Sequence, residues 1–255
     1  MTRWCSFCVK FLGQIEPISD MRMTHSICIA CEAKHDADSF DGHHLDKVQD
    51  LSKQIWTATH PFQQPNVQEI LERAALIGVR DSDLLIALLQ PALVEIGRCF
   101  EKGGLSWEQE HAFSTFATEI AKRLIDKLPD DETTEQVDVV LACADGNQHQ
   151  MGIRFLEHGL RERGVRCRSL GPGLPLADLL SLVEQSKARV LGISVALDSH
   201  LAFVETCRSA LKAKNIKLAV GGLAAQQANA DSEVVFSNRL QTEDIFTGIE
   251  ALLID

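Results

Sequence analysis

The period of the hydrophobic positions changes along the chain. From Leu45 to Leu128 apolar residues recur every three or four positions, the signature of helices buried along one face. The first helix is expected over about Asp46 to Thr59, ended by His60-Pro61. A second follows Pro65, with Asn66 as its N-cap and Val67, Ile70, Leu71, Ala74 and Ala75 on one side. A third begins at Asp81 or Ser82 and carries Leu84, Leu85, Leu88, Leu89, Leu93 and Ile96. Within it Pro91 either kinks the helix or falls where a carbonyl four residues back is freed. Gly103-Gly104 ends that helix, Ser106 caps a fourth, and the fourth runs to Leu128 before Pro129. Four helices with short connections predict a bundle.

From Gln136 onward the pattern becomes short apolar runs alternating with amphipathic stretches. The runs Val137–Ala144, Val165–Leu170, Val190–Val195, Leu218–Val220 and Glu233–Phe236 are candidate strands. Candidate helices lie near His149–Arg163, Pro175–Gln185, His200–Ala213, Ala224–Ala228 and Thr242–Leu253. Strands apolar on both faces predict an α/β domain with a flavodoxin-like or Rossmann-like, five-stranded parallel sheet covered on both sides. Ligands of such sheets sit at the carboxyl ends of the strands. The expected division is a cysteine module over 1–36, a bundle over 45–128 and the α/β domain over 136–255. Residues 32–44, with Asp41, His43 and His44, read as a polar linker, and Pro129–Glu135 as an acidic boundary.

Composition narrows the function classes. The 255 residues carry a formal charge of −11, which disfavours a general nucleic-acid binder because phosphate affinity needs a basic surface. No apolar run is long enough to span a membrane, and Met1-Thr2-Arg3-Trp4-Cys5 lacks the apolar core of a secretory signal. A cytoplasmic, reducing setting is the expectation, with Cys99, Cys143, Cys167 and Cys207 as buried or idle thiols. The chain has no tyrosine, no G-x-S-x-G elbow, no H-E-x-x-H, no Walker loop and no G-x-G-x-x-G. No catalytic constellation is apparent.

Cys5-x-x-Cys8 and Cys28-x-x-Cys31 are two pairs with nineteen residues between them. Zinc takes four thiolates at tetrahedral angles, and each C-x-x-C turn offers two that converge on one ion. A segment this short also needs metal to make up for its small core. His25, three residues before Cys28, is an alternative ligand. The stretch resembles small zinc-ribbon-like cysteine modules at the ends of bacterial sensor proteins, which implies a structural or docking role.

Three loops at the predicted carboxyl edge carry the remaining signal: Asp145-Gly146-Asn147-Gln148-His149-Gln150-Met151-Gly152, Ser194-Val195-Ala196, and Gly221-Gly222. Asn147-x-His149-x-x-Gly152, then Ser194-x-Ala196, then Gly221-Gly222 resembles the D-x-H-x-x-G, S-x-L and G-G motifs of cobalamin-binding domains. These occur in methionine synthase, corrinoid methyl carriers and cobalamin-dependent photoreceptors. The resemblance implies His149 as the lower cobalt ligand, with Ser194 and the glycines holding the displaced nucleotide tail. Asn147 stands where the family has aspartate and is expected to orient the His149 ring without adding charge, Asp145 being the nearest carboxylate. Ala196 stands where it has leucine.

The bundle adds Phe100, nine residues, then Glu110-His111, similar to the W-x9-E-H motif with which cobalamin photoreceptors cover the upper ligand. The resemblance therefore implies a light-sensing signalling protein holding adenosylcobalamin between bundle and sheet domain, with photolysis of the cobalt–carbon bond passed to a protein partner. It also allows a second tetrapyrrole, a bilin, walled by Phe113 and Phe116, and a homo-oligomer. Two other readings stay open: a corrinoid methyl carrier, and a heme-binding or chromophore-free interaction scaffold.

Overall fold

The computed structural model describes residues 1–15, 20, 22–34, 43–128, 136–225, 234–235 and 242–254. The chain forms two compact units, Met1–Ile125 and Asp126–Asp255. The acidic stretch Pro129–Glu135, Asp41, and the ends of the runs drawn at Glu233–Phe236 and Ala224–Ala228 lie outside the described residues.

The first unit opens with a three-stranded sheet, β1 (Thr2–Cys5), β2 (Phe11–Gln14) and β3 (Met23–Ser26), in the order β2-β1-β3. Strands β1 and β2 are antiparallel, and the first cysteine pair forms the turn between them. Strand β3 runs parallel to β1 and delivers Cys28 to the start of a one-turn helix, α1 (Ile29–Glu32). The second cysteine pair is thus held by a helical turn rather than by a second hairpin. Trp4 and Phe11 are fully buried with ring centroids 5.5 Å apart, and they make most of this small core.

Four helical segments follow. α2 (His43–Trp56) starts inside the stretch 32–44 read as a linker, three residues before Asp46, and is followed by the 3-10 turn Thr57–Thr59, while α3 covers Val67–Ile77. Asn66 caps α3 as expected, its side-chain oxygen accepting from the Gln68 amide at 2.8 Å. α4 (Asp81–Asp83), a π-helical stretch (Leu84–Leu89) and α5 (Gln90–Glu101) follow without a break. The π stretch lies just ahead of Pro91. Its wider turn, in which Gln90 bonds back to the Leu85 carbonyl, accommodates a residue that cannot donate an amide proton. α6 (Trp107–Asp126) buries Phe113, Phe116, Ala117, Ile120 and Leu124 along one face.

The second unit is the parallel sheet. Strands β4 (Val139–Cys143), β5 (Cys167–Ser169), β6 (Val190–Ser194), β7 (Lys217–Gly221) and β8 (Val234–Val235) are ordered β5-β4-β6-β7-β8, the doubly wound flavodoxin-like arrangement. One face, with Val140, Ala142, Leu191, Ile193 and Val220, packs with α8 (Leu176–Gln185) and α9 (Leu201–Lys212) through Leu179, Val183, Val204 and Leu211. α7 (Met151–Glu162) and α10 (Thr242–Ile254) also pack closely: a Cβ on Gly159 would lie 2.2 Å from the Phe246 ring. Strand order reverses beside β4, so the loops after β4, β6 and β7 converge at one edge.

Candidate functional site

The loop after β4 is shaped by a buried asparagine. Gly146 takes a left-handed φ of 79°, turning the chain so that Asn147 faces inward while Asp145, Gln148 and His149 stay exposed. Asn147 Oδ1 accepts from the backbone amide of His149 at 3.0 Å, and Nδ2 donates to the Ser194 carbonyl at 2.9 Å. This corrects the expectation that Asn147 orients the His149 ring. Its side chain holds the loop backbone and stitches β4's loop to β6, leaving the imidazole to others. Gly152, in the first turn of α7, has open space where a Cβ would stand, so no packing within the described residues explains why this helical position lacks a side chain.

The loops after β6 and β7 are locked together. Val195 N donates to Gly221 O at 2.8 Å, and Ala224 N donates to Val195 O at 3.2 Å. Gly222 has φ of 108°, and a Cβ there would come within 2.3 Å of the Val195 carbonyl oxygen. Glycine at 222 is therefore required by the close approach of two backbones. Ser194 is half-buried at the carboxyl end of β6. His200, which no sequence motif singled out, is buried in the 3-10 turn Asp198–His200, and its Nδ1 accepts from the amides of Ala196 and Leu197 at 3.2 Å each. A nitrogen that accepts two amide protons carries none itself, so His200 is held with its proton on Nε2. The fold thus gathers Asn147, His149, Gly152, Ser194, Ala196, Gly221 and Gly222 at one sheet edge.

In the helical unit, Phe100 is 40% exposed near the end of α5. Glu110 on α6 accepts from the Ser114 hydroxyl at 2.7 Å. His111 is exposed, and its ring stacks on Trp107 one turn earlier, with centroids 4.8 Å apart and planes within 8°. Phe113 and Phe116 are buried in the core, 6.2 Å apart, with Phe113 against Trp56. Their spacing is that of an inward helix face.

The four amino-terminal cysteines converge. Their sulfurs all lie within 4.8 Å of one another, and Cys8 and Cys28 are 3.7 Å apart. Zinc–sulfur bonds of about 2.3 Å at tetrahedral angles place sulfurs about 3.8 Å apart, so the donor set fits zinc. His25 is exposed on β3 and is not part of the cluster. Burial raises the Cys5 thiol, but the amides of Cys8, Cys28 and Phe7 directed at its sulfur bring it down to about 6. Such amides favour a thiolate. Val9, buried just after the first pair, adopts φ of 59°, a conformation costing a β-branched residue about 1–2 kcal/mol. By contrast, burial pushes the Cys143 thiol up to about 11 and Cys207 up to about 12, as befits inert core cysteines. Cys167 is also buried, while Cys99 is half-buried.

Among the described residues no helix is long and apolar enough to cross a membrane. The chain is 32% identical over 193 residues to the HTH-type transcriptional repressor CarH of Myxococcus xanthus, an alignment covering 73% of this chain and 62% of that protein. It is 22% identical over 188 residues to dimethylamine corrinoid protein 3 of Methanosarcina acetivorans, covering 72% of this chain and 88% of that one. The structure of the Methanosarcina barkeri monomethylamine corrinoid protein superposes with a TM-score of 0.61 at 15% identity, covering 80% of this chain and 99% of that chain, a likeness of fold. Residues 137–249, which lie within the parallel-sheet unit, match the family described as the B12 binding domain.

Proposed function

We propose that this protein is a light-sensing regulator that uses adenosylcobalamin, with His149 as the lower cobalt ligand. The observation that carries the lower site is the exposed His149 on a loop whose backbone Asn147 pins to β6. An imidazole on a fixed backbone with a free ring is what a metal ligand requires, since the ordering cost is met before binding. Ser194 would then offer its hydroxyl to the displaced nucleotide tail, and the open ground at Gly152 would admit it without a side-chain clash. Asp145 and Ala196 border the same edge.

Phe100, Glu110 and His111 are assigned to the upper ligand, Phe100 by packing on the adenosyl group and Glu110 and His111 by polar contact. Bound adenosylcobalamin supplies a cobalt–carbon bond that visible light breaks. In the dark form these side chains hold an adenosyl group. Without it, Phe100, Glu110 and His111 would lose those contacts, and the resulting shift in conformational population would be read by a protein partner. Similarity to a transcriptional repressor supports a regulatory output. Zinc on Cys5, Cys8, Cys28 and Cys31 completes the assignment, as a structural ion of the amino-terminal strands.

The test is reconstitution of the full chain with adenosylcobalamin in the dark, followed by absorption spectra before and after green light. A base-displaced spectrum that changes on illumination supports the reading, and His149→Ala is expected to shift the dark bands toward a weakly ligated corrinoid. Unaltered bands in that variant remove His149 from the site. A second reading, a corrinoid methyl carrier, is favoured by the 88% coverage of a dimethylamine corrinoid protein. It predicts a corrinoid that accepts a methyl group when reduced, with no change in protein conformation or partner binding on illumination. Failure to bind any corrinoid would leave only a scaffold.

A further inference from the structure

The cysteine module is not merely appended to the helices. Asp83 is fully buried, and three donors surround its carboxyl group. Arg80 supplies two, Nε and Nη2, each at 2.8 Å. The third is the backbone amide of Phe11, at 3.3 Å, from the strand that follows the first cysteine pair. Asp83 immediately precedes the π-helical stretch Leu84–Leu89, whose six residues are all buried, and that stretch continues without a break into α5, where Phe100 lies. A link between the metal module and one end of this helical rod is therefore on hand, and the rod contains an irregular segment one hydrogen-bond register away from ordinary α-helix.

We infer that metal held by the four cysteines stabilises the helical rod Asp81–Glu101 through the Phe11–Asp83 contact, so that metal loading is a second input to the helix bearing Phe100. The inference rests on the zinc reading of the cysteine cluster and is independent of cobalamin. The small core around Trp4 and Phe11 cannot keep β1–β3 folded once the thiolates lose their ion. With β2 unfolded, Asp83 loses one of its donors and its cover, and the start of the rod is opened to water. Coupling of this kind is reciprocal: if metal supports the rod through Asp83, Asp83 supports metal binding by the same factor.

The experiment uses the zinc-loaded full chain under reducing conditions. Amide hydrogen exchange, read by mass spectrometry, is compared before and after zinc is withdrawn by a chelator. Exchange over 84–101 is expected to accelerate at least about tenfold along with that over 1–34, a factor within the usual range of coupling energies. In parallel, zinc affinity is measured by competition with a chromophoric chelator. Asp83→Ala is expected to weaken it about tenfold, and Asp83→Asn, which keeps an acceptor for the Phe11 amide, to restore most of the loss. Acceleration confined to 1–34, or equal zinc affinity in Asp83→Ala and the parent, overturns the coupling. A chain that binds no zinc overturns the metal reading, and the coupling with it. Should Asp83→Ala not fold, exchange in the parent chain decides.

Discussion

Asparagine at 147 has a structural reason that the motif comparison lacks. Its Nδ2 donates to the Ser194 carbonyl, a bond that an aspartate oxygen in the same place would turn into a repulsion. Asn147→Asp, although it restores the family's residue, is therefore expected to destabilise the sheet unit by about 1–3 kcal/mol at neutral pH, read as a lower urea midpoint. An unchanged midpoint would mean that the β4 and β6 loops do not depend on that bond. Gly222→Ala meets the Val195 carbonyl at 2.3 Å with a strained φ, and a loss of about 1–3 kcal/mol is expected by the same measurement. At the opposite end of the strands, the Arg166 guanidinium, with help from Arg189, holds the Asp138 carboxyl below the usual carboxylate range. A depressed folded value means that its stabilisation is present at neutral pH and is lost as pH falls below the ordinary carboxylate range toward that value. Asp138→Asn should remove this part of the acid sensitivity, and an identical acid-unfolding curve in the variant would show that the ion pairs contribute nothing.

At the scale of elements, local chemistry is what the sequence exposes best. Ser106 accepts from the Gln109 amide at 3.3 Å while the Gln109 side chain accepts from Ser106 N at 3.0 Å, a reciprocal box that starts α6. Ser106→Ala is expected to cost the helical unit about 0.5–2 kcal/mol, seen as a lower unfolding temperature. The caps at Asn66 and Ser106 were legible because their partners lie within three residues. The π turn at Leu84–Leu89 was not: Pro91 announces a disturbance, but whether the chain answers with a kink or a widened turn depends on the surroundings of six buried side chains. Nor could periodicity separate Phe113 and Phe116 as core residues from a chromophore wall, since both uses demand the same spacing.

For the molecule as a whole, cobalamin and zinc are expected to act as stabilising ligands. Free adenosylcobalamin at a hundred times its dissociation constant adds about 2.7 kcal/mol to the state that binds it, raising the dark unfolding temperature. Illumination with green light should withdraw part of that gain, measured by calorimetry on matched dark and lit samples. Equal curves in dark and light would count against an adenosyl group held by the protein, while leaving a methyl carrier in place.

The order of strands and helices beyond Leu45, the four-cysteine spacing and the convergence of three loops at a sheet edge were determined by sequence alone, because each follows from short-range pattern and from the way parallel sheets close, whereas the three short strands around the cysteines were not. Tertiary structure decided what depends on residues far apart in the chain. Asn147 is spent on a carbonyl 47 residues away, and His200 turns inward to satisfy two loop amides. Asp83 joins the cysteine module to the helices across 72 residues. These partners carry no local signature, since a buried polar group is satisfied by whatever donor the fold brings to it.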